Sequence, residues 1–265
     1  MSELLTEIQR GIARITFNRP AARNAVNHAI LTEMREFLRG IEADASVRCI
    51  VLSGAGEHFM AGADVGGFRA AIERDGAQRE AEFRGRIRET MPLFLQLARM
   101  PQPIVARVQG AAAGAALGFI AGADFAICGE SAIFILAHVN IGVSPDASAS
   151  YYLPRLIGVR KAKELAILGR KMTAAEARDL GMVNRVVPDS ELDAATEALI
   201  AQIIAAPAES VRRCKLLMDS SLGNTLERQL ELEAECFAAC AGTPDFVEGV
   251  GAFLEKRKPS FNRRD

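Results

Sequence analysis

The chain has 265 residues, 49% of them apolar and 25% charged, with a formal net charge of −1 at pH 7. That size and balance suit a globular protein with a sizeable core, and they leave no bulk field to gather a polyanion, which excludes nucleic acid as an expected partner. The five cysteines (Cys49, Cys128, Cys214, Cys236, Cys240) are odd in number and scattered, against a disulfide framework, and His28, His58 and His138 have no Cys or His neighbour at metal-ligand spacing.

Met1 to Glu7 carries acids where a signal peptide has a basic and then an apolar segment, and the apolar run Gly110 to Ala123 is too short and too rich in Ala and Gly to span a bilayer. A cytoplasmic protein without membrane contact is expected. Leu4 to Gln9 and Ile12 to Asn18 flank Arg10-Gly11, and Ala13, Ile15 and Phe17 alternate with Arg14 and Thr16, which predicts a hairpin. After a loop from Asn18 to Ala25, the apolar residues Val26, Ile30, Met34, Phe37, Leu38 and Ile41 recur at helical spacing. Cys49 to Leu52 reads as a buried strand opening into a glycine-bearing loop, Ser53 to Val65. The charge-rich stretch from Gly66 to Glu89 is a cover or lid, and Phe83, Ile87, Met91, Phe94, Leu95 and Ala98 predict an amphipathic helix kinked near Pro92.

Pro103 to Val108 is a second strand, followed by Gln109 to Gly118 as a tight turn into a small-residue helix. Phe125 to Cys128 and Ala132 to Leu136 read as short strands, Ala137 to Asp146 as a loop, Arg160 to Leu168 as a helix, and Met182 to Val187 as a last strand. Thr173-Ala-Ala-Glu176 has the form of a capping box. From there the pattern is helical: 191–205, 208–222, 225–241, and a final helix opened by Thr243-Pro244. The expected organisation is an α/β part, residues 1–195, and a helical tail, 196–265, whose apolar face of Leu226, Leu230, Ala234 and Phe237 suits burial against a second subunit. The basic residues Lys256 to Lys258, with Arg263 and Arg264, read as a solvated end.

Two strand-to-glycine transitions, each able to aim a backbone N–H, suit a grip on one developing oxyanion. Other readings fit less well. Gly54-Ala-Gly56-Glu-His-Phe59 lacks the third glycine of a dinucleotide fingerprint, there is no phosphate-binding P-loop, and no Gly-x-Ser-x-Gly elbow marks a serine hydrolase.

Asn18-Arg-Pro with Asn24-Ala25, Ser53-Gly through Phe59 to Ala61-Gly-Ala-Asp64, Pro103 to Gly118, Leu153-Pro-Arg-Leu-Ile-Gly158, Leu168-Gly to Gly181-Met-Val183 and Phe253 to Phe261 occur in an order and spacing that resembles the enoyl-CoA hydratase/isomerase (crotonase) superfamily along nearly the whole chain. The resemblance implies a spiral of β-β-α units, a C-terminal helical trimerisation region, assembly as homotrimer or hexamer, an acyl-CoA thioester substrate, and no metal or redox cofactor. It puts the two oxyanion-hole N–H groups on Ala63 and Ala115. It also implies coenzyme A contacts at Arg23, Ala25, Ala61 and Asp64, with Asp64 fixing the oxyanion loop, and places Phe261 near a neighbour's adenine pocket.

The sequence departs from the hydratase pattern. Hydratases of the family activate water with two glutamates, and here those positions hold Gly118 and His138. Eight residues past His138 stands Asp146, in Gly142-Val-Ser-Pro-Asp146, where some isomerases and dehalogenases of the family keep a working aspartate; the Pro-Asp loop looks most like the ring-epoxyphenylacetyl-CoA isomerase group. The reading is an isomerase that moves a double bond or rearranges an acyl-CoA through a thioester enolate, with Asp146 shuttling the proton and His138 a second acid/base candidate. A role for Asp146 as helix N-cap competes with it. Hydration through other groups, thioester hydrolysis and non-catalytic acyl-CoA binding are the alternatives. Dehalogenation is disfavoured because Gly66 to Thr90 contains no histidine. Pocket walls are expected from Val65 to Ala71, Phe83 to Phe94 and Leu136 to Ser144.

Overall fold

The computed structural model describes residues 2–262, so Arg263 and Arg264 lie outside the described residues. The predicted hairpin forms from β1 (Leu4–Gln9) and β2 (Ile12–Phe17), paired antiparallel with Leu4 opposite Phe17. Its alternation works as expected: Ala13, Ile15 and Phe17 are buried. β2 then pairs in parallel with β3 (Cys49–Gly54), β3 with β4 (Ile104–Val108), β4 with β6 (Phe125–Gly129) and β6 with β9 (Arg185–Val187), giving a six-stranded sheet in the order β1-β2-β3-β4-β6-β9. A second, three-stranded sheet runs β5-β7-β8, from Ala111–Ala113, Ile133–Ile135 and Lys171–Thr173.

The large sheet is covered on both faces, which is why β3 reads as a continuous apolar run rather than an alternating one. Ile50 and Leu52 enter the main core with Ile30, Met34 and Leu38 of helix α1 (His28–Ile41). Cys49 and Val51 face the other way, into a second core with Leu192, Leu199 and Ile203 of α8 (Leu192–Ala205). Phe119 is buried beside Phe17, their ring centroids 5.5 Å apart, and Phe94 stacks on it at 5.1 Å. Pairs of that kind contribute about 1 kcal/mol each beyond their buried area.

Between these strands lie α2 (Arg69–Ile72), α3 (Gly76–Arg99), α4 (Ala116–Ala121), α5 (Ala149–Ile157), α6 (Val159–Leu168) and α7 (Ala174–Asp179). The tail continues as α9 (Ala208–Ser221), α10 (Leu226–Ala241) and α11 (Pro244–Leu254), with Thr225 and Thr243 as side-chain N-caps. No helix among the described residues is long and apolar enough to cross a membrane.

Several local readings are corrected. Ala111–Ala113 is a strand, paired with Ile133–Ile135, not part of a turn; three alanines have helical propensity, and tertiary pairing overrides it. The last strand is confined to Arg185–Val187. α3 begins well before Phe83, at Gly76, because the Asp75 side chain accepts from Gln78 N at 2.9 Å, and the helix runs through Pro92 as one element. Thr173 does cap α7 by accepting from Glu176 N, but the Glu176 carboxylate turns to Arg170 instead of closing the box.

Candidate active site

The glycine loop after β3 is held by Asn24, which is buried and left-handed at φ 58°. Its amide donates to the carbonyls of Ala55 (2.9 Å) and His58 (2.7 Å) and accepts from Arg19 N (2.9 Å). Further along, Val26 N donates to Gly62 O and Asp64 N to Val26 O, both at 2.8 Å, so the Ala63 N–H faces away from that pairing. Among the described residues neither the Ala63 nor the Ala115 N–H meets a backbone acceptor.

Each of these alanines follows a left-handed glycine, Gly62 at φ +92° and Gly114 at φ +55°. The two turns touch: a Cβ on Gly62 would lie 3.4 Å from the Gly114 Cα and 3.0 Å from Ala113 O. At Gly62 only glycine permits both the dihedral and the approach, so the contact sets the turns that bear Ala63 and Ala115 side by side. Asp64 is occupied with the loop itself, accepting from Gly66 N at 3.1 Å and pairing with Arg19 at 2.9 Å.

His138 and Asp146 are brought together, Nε2 to Oδ1 at 2.9 Å. With a carboxylate as its partner, Nε2 carries the proton and donates it. His138 is 8% exposed, and its Nδ1 is buried with no hydrogen-bond partner. The ring lies beside the Gly114 turn, with Cε1 4.0 Å from where a Cβ on that glycine would stand. The N-cap reading of Asp146 is corrected: Ser148 is the N-cap of α5, no side chain caps the helix, and only the Asp146 main-chain oxygen accepts, from Ala149 N at 3.0 Å.

Two cavities, about 440 and about 700 Å³, share Ala63, Ala115 and Asp146 as lining, together with Phe68, Phe83 and Ile87 of the cover. His138 and Ala61 face the larger one and Asp64 the smaller; Arg23, Ala25 and Phe261 line neither. Arg23 O accepts from Ala61 N at 2.8 Å, bracing the loop from outside, and Phe261 rests on Gly249 of its own α11. The expected walls are present in Phe68, Phe83, Ile87, Phe94, Ile141 and Val143. Leu31 and Phe119, which also line the smaller cavity, sit in stretches whose sequence reads as plain core.

The cover is fastened by its own side chains. Phe68 meets Phe83 edge-on at 4.9 Å, and the Arg86 guanidinium lies 5.3 Å from the Phe83 centroid and 5.8 Å from that of Phe68. Glu82 pairs with both Arg74 and Arg86.

A mostly apolar cleft lined by Asp146 and by the Ala63 and Ala115 turns suits proton transfer beside a carbonyl; Asp64 and Glu89 also line the smaller cavity and Glu80 the larger. The enoyl-CoA hydratase/isomerase family profile matches residues 7–264. The chain is 33% identical to the 1,2-epoxyphenylacetyl-CoA isomerase of Escherichia coli K12, covering 98% of both chains. It is also 33% identical to the trans-2-decenoyl-[acyl-carrier-protein] isomerase of Streptococcus mutans, covering 98% of this chain and 97% of the relative. A crystal structure of an enoyl-CoA hydratase from Mycobacterium smegmatis superposes with a TM-score of 0.89 at 33% identity, over 98% of this chain and 99% of that one. The chain has the crotonase fold and belongs to the enoyl-CoA hydratase/isomerase family.

Proposed function

We propose that the protein is an acyl-CoA isomerase that moves a double bond through a thioester enolate. The observation that carries this reading is the convergence of the Ala63 and Ala115 turns and the Asp146 carboxylate on one cleft. The thioester oxygen accepts from the two N–H groups. The free carboxylate oxygen of Asp146 takes a proton from one carbon, the electron pair moves onto the thioester oxygen, and the same carboxyl returns the proton to another carbon of the conjugated system. Each main-chain donor is worth about 3 kcal/mol to such an oxyanion. His138 positions Asp146 through Nε2–H.

Hydration needs one group for the water and another for the α-carbon. Gly118 offers no side chain, and the Nε2 of His138 is committed to Asp146. Relatives named as isomerases support the reading, beside others named as hydratases. The coenzyme A portion would run past Ala61 and Asp64 with Arg23 and Ala25 behind them, and the apolar tail supports self-association as a homotrimer or a hexamer.

The test is deuterium exchange. Incubated in deuterated water with 3-enoyl-CoA, the protein should deuterate and shift the double bond without adding water, and Asp146→Asn should lower that rate by about 100-fold or more. Water addition at a normal rate, or full exchange in Asp146→Asn, would overturn the reading.

A further inference from the structure

Gly118 lies in α4, three residues past Ala115 in the same short stretch of chain. It is pressed against the turn that follows Asp146. A Cβ at position 118 would stand 1.7 Å from Ala147 O, 2.7 Å from Ala147 C and 3.1 Å from Ala147 Cβ. The closest atoms are main chain, so no side-chain rotation relieves the clash. The turn is also held in an unfavourable form: Ala147 at φ 51° and Ser148 at φ 63° are successive left-handed residues, neither of them glycine. Such a conformation persists only where its surroundings enforce it. Here Tyr151 N and Tyr152 N donate to Ser148 O at 2.9 and 3.1 Å, Ala149 N donates to Asp146 O, and Ala147 and Ala149 are buried.

We propose that Gly118 is a positioning residue for the acid/base group. Its bare Cα seats the 147–148 turn, and the seated turn holds Asp146 on His138 at a fixed reach from the Ala115 N–H. One backbone-to-backbone contact thereby spaces the carboxylate from the oxyanion donors. Any side chain at 118 drives the turn outward and takes Asp146 with it. The inference rests on the reading of Asp146 given above.

The intact protein is assayed with 3-hexenoyl-CoA in deuterated water. Gly118→Ala is expected to lower kcat for exchange about 100-fold, as an ångström of misplacement does, while KM stays within about threefold. Labelled-histidine NMR, with only His28, His58 and His138 to assign, is expected to show the His138 Nε2 signal losing its carboxylate partner. A folded Gly118→Ala with kcat within about threefold of the parent overturns the inference. Should that variant fail to fold, Ser148→Pro decides. Proline forbids φ 63° at a partly exposed position while leaving the bare Cα of Gly118 in place. A kcat loss with KM kept supports the inference, and an unchanged kcat overturns it. Asp146→Asn run alongside separates the two levels. If it retains exchange, the acid/base reading has failed and this inference with it. If it abolishes exchange while Gly118→Ala and Ser148→Pro do not, this inference alone falls.

Discussion

Asp146 and His138 are each visible in the sequence as titratable residues in one loop, yet their pairing is not. It depends on Ala147 and Ser148 adopting left-handed backbone, and neither residue type signals that conformation, whereas Gly62 and Gly114 announce their turns openly. The same limit hides Gly118, whose meaning lies in what is packed against it. Burial acts on single side chains in another way at Cys49 and Cys128. Both thiols are fully buried and are pushed up to about 12 by loss of water. At pH 8 they are expected to resist a disulfide exchange reagent until the protein is denatured, while the exposed Cys214 reacts; modification of either in the native state would contradict the burial. The sign for stability follows from the raised values. The folded state holds these protons more tightly, so stability is complete below the unfolded thiol value of about 8.5 and declines as pH rises from there toward 12.

Among elements, the cover formed by α2 and α3 is legible from Phe83 onward as an amphipathic helix, while Gly66 to Glu82 shows only as a charge-rich stretch. The first turns of α3, Gly76 to Glu82, carry no large apolar side chain, so no helical period shows there. What fastens it is the set of Arg74, Glu82 and Arg86 with the Phe68–Phe83 pair beneath, and Glu82 is the shared partner at 15% side-chain exposure. Glu82→Ala is expected to loosen the cover at a cost of about 1 kcal/mol locally, with trypsin cutting faster at Arg74 and Arg79 and KM rising more than kcat falls. Unchanged proteolysis would show that the aromatic pair suffices. β5 was missed for a different reason: Ala111–Ala113 lacks β-branched residues and becomes a strand through its partner Ile133–Ile135. The long parallel strands were readable because burial on both faces leaves an unbroken apolar run.

For the whole molecule, most strands of the large sheet are visible in the sequence as short apolar runs, while their order is set by pairing between segments far apart in the chain. The helical tail is where the chain is least self-sufficient. Phe237 is 73% exposed, Phe253 81% and Leu226 74%, an amount of apolar surface that asks for a partner. Analytical ultracentrifugation is expected to find an assembly of identical chains, and Phe237→Glu with Phe253→Glu to shift it to smaller species; a monomer at micromolar concentration would count against self-association. The paired glycine turns have one more consequence. The two N–H groups at Ala63 and Ala115 belong to the main chain, so exchanging either alanine for another residue leaves the donor in place unless that residue is proline. Alanine scanning is blind to this half of the cleft, while the loop bearing Asp146 is exposed to every codon change. On the proposed reading, divergence of the reaction can proceed in that loop while the two main-chain donors stay in place, and amide-to-ester replacement in the backbone would measure what they contribute.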